Sequence, residues 1–124
     1  MSTDYRKMSD FEINGLIAKR TQNVGDFTQA RGLTFVHEYG NPVANFAAFC
    51  LGWKEFDPCN NPADAWPIIV DNGISLECIV INKHEKTWRA QFKPAYVKYH
   101  MNDKNPLRAA MIVFLMIQEP KNAS

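Results

Sequence analysis

The segment from Pro106 to Glu119, PLRAAMIVFLMIQE, constrains the fold most, because it predicts a helix that is apolar on every side. Its expected inward stripe consists of Leu107, Ala110, Met111, Phe114, Leu115 and Gln118. The opposite side carries four further apolar residues, Ile112, Val113, Met116 and Ile117. Such a helix must be buried all round, either as a central core helix or at a symmetric interface. Of these two alternatives we expect the symmetric interface, in which the four residues contact a second copy of the chain.

The remaining composition predicts a single domain in a reducing compartment. With 124 residues, 46% of them apolar, the chain can bury one core, so we expect one domain over residues 1–124 with flexible tails at 1–8 and 120–124. The three cysteines form no Cys-x-x-Cys pair and the first residues lack a secretory signal pattern, which predicts a cytoplasmic protein. The longest apolar run, Ala109 to Ile117, is shorter than the roughly 18 residues that span a bilayer.

Capping patterns predict where the helices begin. Ser9 followed by Glu12 is a capping box and predicts a first helix from Asp10 to Arg20. Asparagine followed by proline suits a helix start. The asparagine side chain accepts a hydrogen bond from an N–H of the first turn, and the N–H that proline lacks would have no partner within the helix. Two such pairs predict helices over Pro62 to Asp71 and over the C-terminal segment. After the third pair, Asn41-Pro42, residues 42–52 fit a helix and a buried strand about equally.

Runs of β-branched and aromatic residues predict three strands, Leu33 to Tyr39, Ile74 to Asn82 and Thr87 to Lys93. Asn23 to Gly32 has the composition of a turn. Bringing the apolar faces of the last two strands together requires a loop with an odd number of residues, three or five. The chain is therefore predicted to be α+β, with a small antiparallel sheet of three or more strands packed by N-terminal, middle and C-terminal helices.

The stretch FDPCNNPADAWPIIVDN, Phe56 to Asn72, is the densest polar cluster. A polar loop before a helix presents free amides, so a small-ligand or enzyme site is one hypothesis for it. The candidate ligand-binding residues are Asp57, Cys59, Asn60, Asp64 and Trp66. The alternative, which we favour, is a turn and helix cap with no chemistry. No base stands at a fixed spacing from the cysteine and no short metal-ligand spacing occurs, so we expect no catalytic residue, metal or cofactor.

The segment from Lys83 to Arg108 is basic, with seven lysines and arginines against two acids. It interleaves cations with aromatic rings, a mixture that can follow a phosphate backbone while the rings stack on bases. The candidate nucleic-acid residues are Arg89, Lys93, Lys98, Tyr96 and Tyr99. An ordinary charged hairpin is the favoured alternative. Arg108 is unusual, because a cation in the first turn of a helix opposes the helix dipole. We expect it to pair with Asp103 or to face an acidic partner.

Three stretches together resemble the NinX-like family of small proteins from lambdoid bacteriophages and prophages. They are SDFEIN at Ser9 to Asn14, FDPCNNPADAWPIIVDNGIS at Phe56 to Ser75, and NPLRAAMIVFLMIQE at Asn105 to Glu119. The resemblance implies a phage gene product that works in the bacterial cytoplasm, and it supplies no catalytic residues.

The sequence thus leads to three functional hypotheses. The first is a non-enzymatic phage accessory protein that forms a homodimer and binds a host or phage protein. The second is a nucleic-acid-binding module that uses the basic segment. The third is a small-ligand or enzyme site at residues 57–66.

Overall fold

The computed structural model describes residues 4–23, 25–39, 50–95 and 97–119. In these ranges the chain forms three α-helices, a short 3₁₀ turn at Tyr5–Lys7 and two three-stranded antiparallel sheets. The helices are α1 (Asp10–Thr21), α2 (Pro62–Asp71) and α3 (Pro106–Gln118). Sheet A contains β1 (Phe27–Ala30), β2 (Leu33–Tyr39) and β3 (Cys50–Glu55), and sheet B contains β4 (Ser75–Asn82), β5 (Glu85–Phe92) and β6 (Tyr99–Asp103). The predicted α+β class is confirmed.

The helices begin where the capping patterns predict. Ser9 Oγ accepts the N–H of Glu12 at 3.1 Å, and the Glu12 carboxylate accepts the N–H of Ser9 at 3.3 Å, so the capping box is complete. Asn61 and Asn105 each cap a helix whose first residue is proline. The third candidate start, at residues 41–42, lies outside the described residues.

Sheet A contains a strand that the composition missed. Residues 23–32 were predicted as a turn, yet Phe27–Ala30 is β1 and pairs with β2 from Phe27↔Val36 to Ala30↔Leu33. The strands are joined by Arg31 and Gly32, both with positive φ (55° and 78°), as a tight two-residue hairpin turn requires. The usual residue at the first of these positions is asparagine or aspartate, so the arginine gave no sign that the turn has only two residues and that a strand precedes it.

For residues 42–52, the structure decides between helix and strand only at positions 50–52, which form a strand. Cys50 lies in β3, which pairs antiparallel with β2 through positions such as His37↔Trp53. Residues 42–49 lie outside the described residues.

The hairpin of β4 and β5 brings the predicted faces together but does not have the predicted loop. Leu76 pairs with Ala90 and Cys78 with Trp88, which brings the two apolar faces together as expected. The loop, however, has two residues, 83 and 84, rather than three or five. The register shifts between Val80 and Asn82, so a β-bulge supplies the extra residue that an odd loop would have supplied.

Strand β6 completes sheet B and was not predicted. Its side chains alternate, with Tyr99 and Met101 half-buried and His100 and Asn102 exposed. Phe92 pairs with Tyr99 at one end of the β5–β6 ladder. The strand is short and polar, and this weakens the compositional signal for a strand.

Helix α3 lies at the centre of the molecule. It packs on β5 and β6 of sheet B, and α1 and α2 also contact it. Seven consecutive residues from Ala109 to Leu115 are buried. Ile112 and Val113 are both 0% exposed within this one chain. This corrects the expectation that these two residues face a second copy, because other parts of the chain already cover them. Met116 and Ile117 are half-buried.

No helix in the described part of the chain is both long and apolar enough to cross a membrane.

We predict that Ile112→Ala lowers the free energy of unfolding by about 2–5 kcal/mol, because the truncation leaves a cavity in the centre of the core. The measurement is urea unfolding at two protein concentrations tenfold apart. The control, Val97→Ala at a 46% exposed position between β5 and β6, should cost less than about 0.5 kcal/mol. A loss that grows on dilution would show instead that Ile112 contributes to contacts between chains.

Candidate functional site

The loop between β3 and α2, residues 56–61, is folded around the side chain and backbone of Asp57. The Asp57 carbonyl accepts the N–H groups of Asn60 at 3.0 Å and Asn61 at 2.7 Å, which closes a turn. The Asp57 N–H donates to the carboxylate of Asp64 at 2.9 Å. Asp64 stands in the first turn of α2, where a negative charge also favours the helix dipole. The carboxylates predicted as ligand groups therefore shape the loop itself.

Asn14 of α1 joins this loop to the core. Its side chain is buried, and its Nδ2 donates to Asp57 Oδ1 at 2.8 Å. Its Oδ1 accepts the N–H of Cys59 at 3.2 Å. Both ends of the amide are thus used, which a buried amide requires. Asn14 was not predicted as a functional or structural residue; the available signal was an amide placed between the apolar residues Ile13 and Ile17 of the same helix.

Asn105 joins the same loop to α3. As the N-cap of α3 its Oδ1 accepts the N–H of Leu107 at 2.9 Å. Its Nδ2 donates to the carbonyl of Cys59 at 2.7 Å and to Asn60 Oδ1 at 3.2 Å. One amide therefore both starts a helix and holds the loop. The Nδ2 of Asn60 in turn donates to Asp10 of α1 at 3.1 Å.

Cys59 lies in the interior, with 0% of its surface exposed. Burial, and to a smaller degree the negative charge of Asp10, raises the pKa of the Cys59 thiol from 9.0 to about 12. The thiolate is the nucleophilic form of cysteine, so this side chain is inert near neutral pH. It fills core volume and presents its backbone to the two asparagines.

Trp66 stands apart from this network. It projects from α2 with 60% of its surface exposed. The structure thus brings four of the five candidate ligand residues together and leaves the fifth on the surface. A groove of about 400 Å³ lies between α2 and sheet A, and Asp64 is the candidate residue that lines it, with Lys54 and Asp71 among its neighbours.

The buried polar side-chain atoms are paired within the chain. In the described ranges no buried side-chain nitrogen or oxygen lacks a hydrogen-bond partner. The same ranges contain no cluster of three or more His, Cys, Asp or Glu side chains that could hold a metal ion. The arrangement is therefore that of a scaffold which joins three helices.

Arg108 forms a second network beside the loop. Its side chain is 13% exposed and bonds to Asp10 at 2.6 Å and Asp103 at 3.2 Å. Its Nη2 also donates to the carbonyl of Met8 at 2.6 Å and to that of Tyr5 at 3.4 Å. The expected pair with Asp103 is present. Two carboxylates and several carbonyls compensate for the unfavourable position of the cation in the first turn of α3.

The candidate nucleic-acid residues are only partly on the surface. Arg89 Nε donates to Asn102 at 3.2 Å, and its guanidinium lies 3.9 Å from Glu77. The ring of Tyr99 is half-buried and stacks on Phe92 with centroids 6.3 Å apart.

Two of the remaining candidates, Lys93 and Lys98, are exposed. Tyr96 lies outside the described residues. Within the described residues, then, the basic segment offers cations but no exposed aromatic ring from the candidate set on which a base could stack.

We predict that Asp57→Ala lowers the free energy of unfolding by about 1–3 kcal/mol, because the amide of Asn14 loses its buried acceptor. Thermal and urea unfolding would measure the change, with Glu55→Ala, an exposed position two residues away, as the control. Unchanged stability would mean that the carboxylate does not hold the loop and is available to a ligand.

A second prediction concerns the thiols. At pH 8 the exposed Cys78 should react with iodoacetamide within minutes, whereas Cys59 should remain unmodified in the folded protein, because it is buried and its pKa is about 12. Raising the pH to 9 should still leave Cys59 protected. Peptide mass spectrometry assigns the modified residue. Rapid labelling of Cys59 in the folded state would contradict the scaffold interpretation.

A comparison with known proteins gives one match. Residues 4–118 match the family model described as Bacteriophage P22, NinX. Neither a curated protein nor a solved structure matches the chain.

Proposed function

Because this chain belongs to the NinX family of bacteriophage proteins, we propose that it is a non-enzymatic phage accessory protein that acts by binding proteins in the bacterial cytoplasm. Its partners are a host or phage protein and a second copy of the chain. The family match supports the phage assignment, and the arguments for protein binding come from the surface.

One observation carries the proposal. The exposed surface is rich in large apolar side chains, whereas the buried polar groups of the loop at residues 56–61 are paired within the chain. The large apolar residues that are at least 42% exposed are Leu33, Trp53, Trp66, Val70, Val80, Ile81 and Val97. Single exposed apolar residues are ordinary, but four of these form two pairs. Trp66 and Val70 lie one turn apart on α2, and Val80 and Ile81 are adjacent near the end of β4.

Aromatic residues in such surfaces are frequent anchors of protein interfaces. Trp66 has 60% of its surface exposed and no role in the loop network, so its exposure has no structural benefit within the chain. Tryptophan contributes strongly when a partner buries it. A protein-binding role therefore accounts for the residue that the scaffold leaves unexplained.

The basic segment supports nucleic-acid binding less well. Arg89 is engaged with Asn102 and Glu77, and Tyr99 stacks within sheet B. The exposed lysines Lys93 and Lys98 keep a phosphate-binding role open to test. Such binding would weaken steeply with added salt.

The test is capture of partners from infected host cells with a tagged chain, before and after nuclease treatment. We predict that Trp66→Ala/Val70→Ala reduces recovery of the partner at least about tenfold, because two apolar anchors are lost, while Val97→Ala has little effect. Identification of the captured protein and a direct affinity measurement with it complete the experiment. A partner lost on nuclease treatment, or recovered equally by both variants, would overturn the proposed binding mode.

A further inference from the structure

The most unusual surface of the molecule is the free edge of β4. Within the described residues the order of sheet B is β4-β5-β6, so β4 pairs with β5 on one side and ends the sheet on the other. Its eight residues, SLECIVIN, include one charged residue, Glu77, and neither lysine nor proline. Natural edge strands are usually protected by such residues or by bulges, because unpaired N–H and C=O groups recruit another strand, and the bulge in β4 lies at its far end, after Val80.

The two ends of this edge carry apolar surface. At the far end Val80 and Ile81 are 70% and 59% exposed. At the near end Val70, in the last turn of α2, is 55% exposed. The strand between them spans about 20 Å at the usual rise per residue, so the two ends cannot cover each other within one molecule.

The two ends also differ in charge. The far end carries exposed Lys83 and Lys86 beside Glu85, and at the near end Asp71 stands at the end of α2 with Lys93 just past β5. Lys83 is exposed in the turn that follows β4. Asp71 is exposed at the end of α2, whose last turn contains no basic residue. A helix C-terminus favours a nearby cation, and Asp71 adds a full negative charge to it.

From these features we propose that β4 pairs antiparallel with β4 of a second copy, around a two-fold axis beside Cys78. The inference rests on the self-association proposed above and specifies its surface. Antiparallel pairing centred on Cys78 places Ile81 opposite Ser75 of the partner subunit. It places Lys83 level with Gly73 of the partner subunit, next to the C-terminus of that subunit's α2.

A second copy fits this edge better than an unrelated strand. The strand has its apolar pair and Lys83 at one end and Asp71 of α2 at the other, so an antiparallel copy brings Lys83 of one chain to the Asp71 end of the other chain twice. The two-fold axis also closes the assembly at two chains and leaves no growing edge. Both Glu77 side chains then lie diagonally across the axis, and each has the Arg89 guanidinium of its own chain at 3.9 Å to offset the repulsion.

Cys78 reports directly on the position of the axis. It is an exposed free thiol at the middle of the edge. Treatment with diamide, which takes two electrons and two protons from a pair of thiols, should give a disulfide-linked dimer of the wild-type chain. The Cys78→Ser variant should give none. The matched control, Cys78→Ser/Lys86→Cys, carries an exposed thiol on β5 away from the axis and should crosslink at least about tenfold more slowly.

A charge exchange tests the ends of the edge. In sedimentation equilibrium Lys83→Glu and Asp71→Lys should each weaken the dimer about five- to tenfold, because attraction becomes repulsion at two symmetric contacts. The double variant should recover the wild-type dissociation constant within about twofold. Lys98→Glu, the same change at an exposed lysine outside this surface, should leave it unchanged.

The outcomes separate the two levels of the proposal. A strict monomer at tens of micromolar overturns both self-association and the β4 surface, while leaving binding of another protein to the capture experiment. A dimer that neither crosslinks through Cys78 nor responds to the charge exchange overturns the β4 surface alone. Rapid crosslinking together with recovery in the double variant supports it.

Discussion

The fold depends on two hydrogen bonds to the backbone of one buried residue. The N–H of Cys59 is taken by Asn14 of α1 at 3.2 Å, and its carbonyl by Asn105 of α3 at 2.7 Å. The same loop leads directly into α2, so three helices meet at a single peptide segment. Buried backbone groups are costly when unpaired, and here the partners come from helices far away in the sequence. These polar residues are needed because the loop passes through the interior at Pro58 and Cys59.

Arg108 shows the same principle with charge. Its guanidinium is mostly buried, which is costly for a cation unless its donors are satisfied. Asp10 and Asp103 supply the charge, and carbonyls of the N-terminal turn supply the remaining acceptors. The network joins the segment before α1 to the first turn of α3. Polar contacts at one end of the core therefore both stabilise the fold and fix the position of the N-terminal segment against α3.

Local signals predicted the local features of this chain well. The caps at Ser9, Asn61 and Asn105 were visible because each is complete within a few residues. The strand β1 was not visible, because its turn uses Arg31 in a conformation that composition does not indicate. Which faces of β4 and β5 meet was predicted, but the loop between them was not, since the bulge within β4 lets a two-residue loop bring those faces together.

The sequence predicted most of the residues that form the loop but not the structural role that they have. The residues of the loop were named from sequence, whereas Asn14 was not, because its partners lie more than forty positions away. The two sides of α3 looked alike in sequence, and only the packing of sheet B, α1 and α2 around it shows that Ile112 and Val113 are covered from within.

The central position of α3 has a consequence for how the protein folds. Because α1, α2 and sheet B all pack against this helix, each of them lacks its main apolar neighbour until α3 has docked. The individual helices and hairpins are therefore expected to gain little stability on their own, and folding is expected to be one cooperative step.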